Sequence, residues 1–258
     1  MSSSYVPPQH GAWAFLALPV LLGILVTPWT PLILLLALAW IAVYPMSYAA
    51  FGLVRARRST RFRRPLLVWS LVTLVPAVVL VVARPWLVWV GAVYAVFFLV
   101  NLGYARRNDE RALTNDLVFV FECAAMVLVT WAVGVGGTSL VPPPVGDVPV
   151  DAWILAALTA LALAGSTLHV KSLIRERRDP RFARASQAFA VVSVALVVGL
   201  AALWGLPAGW WLVPPFVLLA VRAFVVGLRP RKPMVIGLVE LAAIVIVWLG
   251  ALLATLAR

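Results

Sequence analysis

Long apolar runs alternate with short polar connections from Gly11 to the C-terminal residue. A helix needs about 17 to 25 largely apolar residues to cross ~30 Å of hydrocarbon. Read on that scale, the pattern predicts nine transmembrane helices, at approximately 12–28, 32–54, 66–83, 86–105, 116–135, 152–173, 186–204, 209–228 and 234–256. Only Gly136 to Asp151, with Pro142, Pro143, Pro144 and Gly146, is long enough to be a linker. The expected fold class is all-α, a polytopic transmembrane helical bundle.

Two of the polar connections carry nearly the same word. Leu53-Val-Arg-Ala-Arg-Arg-Ser-Thr-Arg-Phe-Arg-Arg64 and Leu173-Ile-Arg-Glu-Arg-Arg-Asp-Pro-Arg-Phe-Ala-Arg184 agree at seven of twelve positions. Each follows one apolar run and precedes another, as duplication of a membrane unit would leave them. The expectation is one integral membrane domain over residues 1–258, with a repeat at about 12–105 and 116–228 and an extra helix at 234–256. Four helices per copy make the copies point the same way, a parallel repeat.

Composition agrees with a bilayer as solvent: 64% of residues are hydrophobic and 12% charged, with a mean hydropathy of +1.04. That is more apolar side chain than a soluble core of 258 residues buries. The single cysteine, Cys123, excludes an intramolecular disulfide and a cysteine-built metal site. Met1 to Gly11 contains no Lys or Arg, so the first apolar run lacks the flank of a cleavable signal peptide and is expected to be retained as a span.

The net charge of +12 comes from 21 Lys and Arg, and all but Arg84 and Arg258 lie near the connections after the second, fourth, sixth and eighth helices. Basic loops stay in the cytoplasm, which puts the N-terminus inside and the C-terminus outside, in a bacterial inner membrane. The charge is then a topology signal and a match to anionic headgroups, with the lipid bilayer as partner. Nucleic acid is a poor partner for arginines confined to short loops against a membrane.

Scarce polar residues mark depth. Seven of the nine carboxylates fall on the expected cytoplasmic side, as do both histidines, His10 and His169. Glu122, Glu240 and Arg222 lie inside helices at similar depth, about 9 Å below the cytoplasmic edge for Glu122. Charges there are costly, so they imply mutual pairing or a wet pocket open to the cytoplasm, the alternative being a structural ion pair between Arg222 and one glutamate. His10 follows Pro7-Pro8 at the start of a helix, where an imidazole suits proton chemistry or ligation. The connection around Arg106, Arg107, Asp109 and Asp116 could hold a divalent cation through the two aspartates while arginines take a phosphate. The plainer reading is a charged loop capped by Asn115 or Asp116 at a helix beginning at Leu117.

Pro8-Gln-His-Gly-Ala-Trp13, Asn115-Asp116 and Lys171-Ser172 followed by Arg175 resemble the YwiC-like family of bacterial membrane proteins. The resemblance spans most of the chain, with His-Gly-Ala-Trp its most specific word, and implies little about activity. The helix count and the loops after helices two and six are similar to UbiA-type intramembrane prenyltransferases. That likeness implies paired carboxylates holding Mg²⁺ against a prenyl diphosphate. Here the 55–64 loop has six arginines and no carboxylate, and the 175–184 loop offers only Glu176 and Asp179. Arg55, Arg57, Arg58, Arg175, Arg177 and Arg178 would instead hold an anionic headgroup directly, with the 106–116 loop supplying any metal.

Three functions follow as expectations: a UbiA-like transferase or binder acting on a prenyl or lipid phosphate, with Mg²⁺ as the candidate cofactor; a proton-coupled or small-anion transporter using Glu122, Glu240 and Arg222; and a non-catalytic membrane subunit. The sharpest expectation is that His10, Asp116, Glu122, His169, Lys171 and Arg175 converge in one cytoplasm-facing cavity. The histidines, Asp116 and Glu122 would be its catalytic groups, and Lys171, Arg175, Arg55, Arg106, Arg107 and Arg222 its binding groups.

Overall fold

The computed structural model describes residues 5–7, 11–55, 60–226 and 232–258. These residues form nine α-helices, and no strand is present among them. The chain divides into two compact units, Met1–Val148 and Pro149–Arg258, and the division falls inside the proline-rich 136–151 segment.

The first unit contains α1 (Gly11–Ile24), α2 (Leu32–Arg55), α3 (Arg63–Ala83), α4 (Leu87–Arg106) and α5 (Leu113–Val135). Here α2 packs on α3, α4 and α5, and α1 packs on α5 and α2. Small residues permit the closest approach: a Cβ on Gly23 of α1 would stand 2.7 Å from Thr130 Cβ of α5. The Trp40 indole donates to Leu16 O at 2.9 Å, tying α2 to α1.

The second unit contains α6 (Val150–Ile174), α7 (Pro180–Trp204), α8 (Val213–Val225) and α9 (Pro233–Leu256), with a 3₁₀ segment at Ala208–Leu212 leading into α8. In this unit α6 packs on α7, α8 and α9, and α8 packs on α9.

Among the described residues eight helical stretches are long and apolar enough to cross a membrane, α8 reaching that length as Ala208–Val225 with the 3₁₀ segment before it, so the chain is a multi-pass membrane protein. The exception is α1, whose 14 residues cover about 21 Å against ~30 Å of hydrocarbon. Half of its residues are buried against the rest of its unit. By contrast α3 leaves Leu67, Leu71, Leu74, Val78 and Val82 exposed, a stripe at helical spacing that would be costly in water and is neutral in lipid.

Helix starts differ from the hydropathy pattern where charge and capping decide. α7 begins at Pro180, not near 186, because Asp179 accepts from Arg181 N at 2.8 Å and Pro180 occupies the first turn. α5 begins at Leu113, a turn before the expected Leu117, so neither Asn115 nor Asp116 is its cap; Ala112 is, without a side-chain bond. Asp116 sits in the first turn, where its carboxylate complements the helix dipole.

The two basic residues outside the arginine-rich connections both meet helix C-terminal carbonyls. Arg84 Nε, just past α3, donates to Val133 O of α5 at 3.1 Å. Arg258, just past α9, donates to Trp204 O of α7, pairs with Asp151 and lies 4.6 Å over the Trp204 ring.

Candidate functional site

The second unit encloses a charged centre. Glu240 of α9 accepts a hydrogen bond from Arg222 Nη1 of α8 at 2.5 Å, and the Ser166 hydroxyl of α6 donates to the same carboxylate oxygen, Oε2. His169, one helical turn beyond Ser166 on α6, places Nε2 4.0 Å from Oε1 of Glu240. Solvent reaches 3% of Glu240, 1% of His169 and 9% of Arg222.

Removing ions of this size from water costs several kcal/mol each, which pairing offsets only when the remaining donors and acceptors are satisfied. Here they are not: Glu240 Oε1, Arg222 Nε and both ring nitrogens of His169 are buried without a hydrogen-bond partner among the described residues. The 4.0 Å between His169 and Glu240 is too long for a direct bond but suits a bridging water. Arg222 also borders a cavity of about 10 Å³ shared with Gly165, Ser186, Phe189, Ser193 and Phe216, at the lower limit of what one water needs.

The first unit holds its buried carboxylate differently. Glu122 of α5 accepts from Asn101 Nδ2 of α4 at 3.0 Å, and its backbone carbonyl accepts from the Tyr94 hydroxyl at 2.7 Å. Tyr94 and Asn101 lie two turns apart on α4 and clasp α5 together. Tyr94 is held edge-on by Trp40 at 5.7 Å and packs against Phe97, which packs in turn on Phe121. No cationic side chain among the described residues of this unit pairs with Glu122.

The arginine-rich connections are built by helix ends. Arg107 caps α4, and Asn108 adopts φ 55° so that Asp109 N bonds Tyr104 O at 3.0 Å and Asn108 N bonds Ala105 O at 3.2 Å. That is a Schellman stop with asparagine in the left-handed position. Arg106, Arg107 and Asp109 are exposed there. Arg55 is engaged elsewhere, donating to Glu110 Oε2 at 2.9 Å. Among the described residues no three His, Cys, Asp or Glu side chains form a metal-holding group. Any divalent ion at Asp109 and Asp116 would have to complete its shell with amide oxygens and water. In the second unit Lys171 is 7% exposed, and its carbonyl accepts from Arg175 N at 3.0 Å and Glu176 N at 2.9 Å at the end of α6. An open groove of about 630 Å³ follows, lined by Ile174 to Pro180.

Of the expected site residues, His169 and Arg222 meet at Glu240, so the glutamate that pairs with Arg222 is Glu240. Asp116 and Glu122 belong to the first unit, while His169, Lys171 and Arg175 belong to the second. His10, Arg57 and Arg58 lie outside the described residues. Ser166, Asn101 and Tyr94 were missed as site residues. Their signal was spacing: Ser166 stands three residues before His169, and Tyr94 seven before Asn101, the intervals that share a helix face.

A family model described as YwiC-like protein matches residues 6–131. "Uncharacterized protein YwiC" of Bacillus subtilis (strain 168) is 32% identical over 241 residues, covering 92% of both chains. An "Uncharacterized protein" of Haemophilus influenzae (strain ATCC 51907 / DSM 11121 / KW20 / Rd) is 28% identical, covering 96% of this chain and 97% of its own. No solved structure matches the chain.

Proposed function

The chain belongs to the YwiC-like family, and from that premise we propose that it is a proton-coupled or small-anion transporter in which Glu122, Glu240 and Arg222 are the intramembrane polar elements. The observation that carries this reading is the unused hydrogen-bonding capacity at Glu240, Arg222 and His169. An ion pair kept only for packing is expected to spend its donors and acceptors. A buried centre that keeps them open is suited to a transient proton, water or small anion. The reading also uses the Lys and Arg distribution: the arginine-rich connections face the cytoplasm of a bacterial inner membrane, so that α9, which leaves one of them, carries the C-terminus to the outside, and the N-terminus is inside only if α1 crosses as well.

The test is flux. Full chain reconstituted in vesicles with an internal pH dye should move protons when a gradient of a small anion is imposed, and Glu240→Gln should bring the rate to that of protein-free vesicles. A wild-type rate equal to that of protein-free vesicles, across a panel of halides, oxyanions and small carboxylates, overturns transport.

A second reading has its own support. The groove of about 630 Å³ beside Arg175, Arg177 and Arg178 suits the phosphate of a prenyl lipid, whereas the water-sized cavity at Arg222 does not. Transfer from a labelled prenyl diphosphate with Mg²⁺, lost in Arg175→Ala, would favour this reading over transport.

A further inference from the structure

We propose that Glu122 and Asn101 form an exchangeable monovalent-cation site, occupied by a proton or an alkali cation, and that Arg222 makes Glu240 a fixed charge. The inference rests on the transport reading for its purpose only.

The two carboxylates present the same problem to their surroundings. Each is buried in an apolar helix, Glu122 at 8% and Glu240 at 3% exposure, where an uncompensated negative charge is expensive. Glu240 has a permanent cation 2.5 Å away. Glu122 has an amide, which donates a hydrogen bond and no net charge. Its compensation has to arrive from outside and be able to leave.

The surroundings of Glu122 provide no fixed alternative within its unit. From α4 it meets Asn101 and Tyr94, and on its own helix Cys123 adjoins it. α1 carries no ionisable side chain between Gly11 and Ile24. The ionisable residues of α2 are Tyr44, Tyr48 and Arg55, and Arg55 is bonded to Glu110. A further oxygen stands ready, since Asn101 Oδ1 is buried with no hydrogen-bond donor among the described residues. Turned over, the Asn101 amide presents this oxygen to the Glu122 carboxylate: the oxygens together are hard donors for an alkali cation whose shell water and backbone carbonyls complete, and a protonated Glu122 donates its O–H to Asn101 Oδ1.

Infrared difference spectra of the full chain in nanodiscs test the site. In the proton arm, acidification in sodium-free buffer from about pH 9 to about pH 6, above the range in which exposed carboxylates bind protons, produces one carboxylic-acid band per chain. In the alkali arm, adding sodium at fixed pH, against a choline control, shifts the ionised carboxylate band. Whichever signal the wild type gives should vanish in Glu122→Gln and persist in Glu240→Gln. Asn101→Arg, which supplies a fixed cation and keeps the carboxylate, should also abolish it. Arg222→Asn should add a second signal of equal size at Glu240. A signal that survives Glu122→Gln, or a wild type silent in both arms, overturns the site, and a missing second signal in Arg222→Asn overturns the role of Arg222. Flux without a Glu122 signal removes this site and leaves transport. A Glu122 signal without flux does the reverse.

Discussion

Both units bury a carboxylate on their last helix and bind it from the helix before. In the first unit Asn101 of α4 holds Glu122 of α5, and in the second Arg222 of α8 holds Glu240 of α9. The correspondence extends outward. α2 packs on α3, α4 and α5 as α6 packs on α7, α8 and α9, and the repeated arginine words lie at the α2–α3 and α6–α7 connections. A duplicated four-helix unit with α1 outside it would leave this pattern, pairing helices as 12–105 against 116–228 does but with bounds that leave over α1 and not α9. Where the units part company is the donor, an amide in one and a guanidinium in the other. A guanidinium on the preceding helix anchors the charge of the buried carboxylate, and an amide there leaves that charge unmatched.

Isosteric substitutions should expose that contrast most strongly. Glu240→Gln strands Arg222 in an apolar interior, and breaking a buried pair from one side costs about 3–5 kcal/mol. Glu122→Gln keeps an oxygen for Asn101 Nδ2 and strands no cation, so it should cost under about 1 kcal/mol. Reversible unfolding in mixed micelles measures both. Equal costs would mean that the guanidinium does not distinguish the units. The double variant Arg222→Leu with Glu240→Leu should recover most of the loss, because an apolar pair of similar volume needs no desolvation of charge.

A smaller effect separates how tightly each unit is closed. A Cβ on Gly209 would lie 2.0 Å from Ala201 O, a backbone atom of α7, whereas one on Gly23 meets the Thr130 side chain at 2.7 Å. Overpacking costs about 1–3 kcal/mol. Gly209→Ala should fall at the top of that range and Gly23→Ala lower, since a side chain can turn where backbone cannot. Gly137→Ala, with nothing within 4 Å of its Cβ, is the control for the same unfolding assay. The contrast fails if Gly23→Ala costs as much as Gly209→Ala.

The helices were legible because hydropathy is a one-dimensional signal and a bilayer imposes one length. Their polar starts were not: α7 reaches back to Pro180 through Arg181 and Arg184, residues that an apolar window discards. The charged residues that helices bury were legible too, which is why Glu122, Glu240 and Arg222 stood out together. Depth alone does not say which helices are neighbours, so it could not choose between the glutamates as the partner of Arg222. Asn101, Tyr94 and Ser166 escaped notice because neutral polar residues are common in membrane helices, and their role appears only when the helix opposite is known.

The smallest effect concerns the ends of the units away from the arginine-rich connections. Arg84 and Arg258 each place a guanidinium on the C-terminal carbonyl of a neighbouring helix, Val133 O and Trp204 O, where the helix dipole favours a cation by about 0.3–1 kcal/mol. Alanine at either position should therefore cost about the same at low ionic strength. Salt should then separate them. Arg258 is exposed and adds an ion pair with Asp151, an interaction that surface screening removes above a few tenths molar salt. Arg84 is half-buried and spends its Nε on a carbonyl, which salt screens less. The cost of Arg258→Ala should shrink as salt rises while that of Arg84→Ala stays, and parallel salt curves would mean that the Asp151 pair contributes nothing to holding α9 against α6.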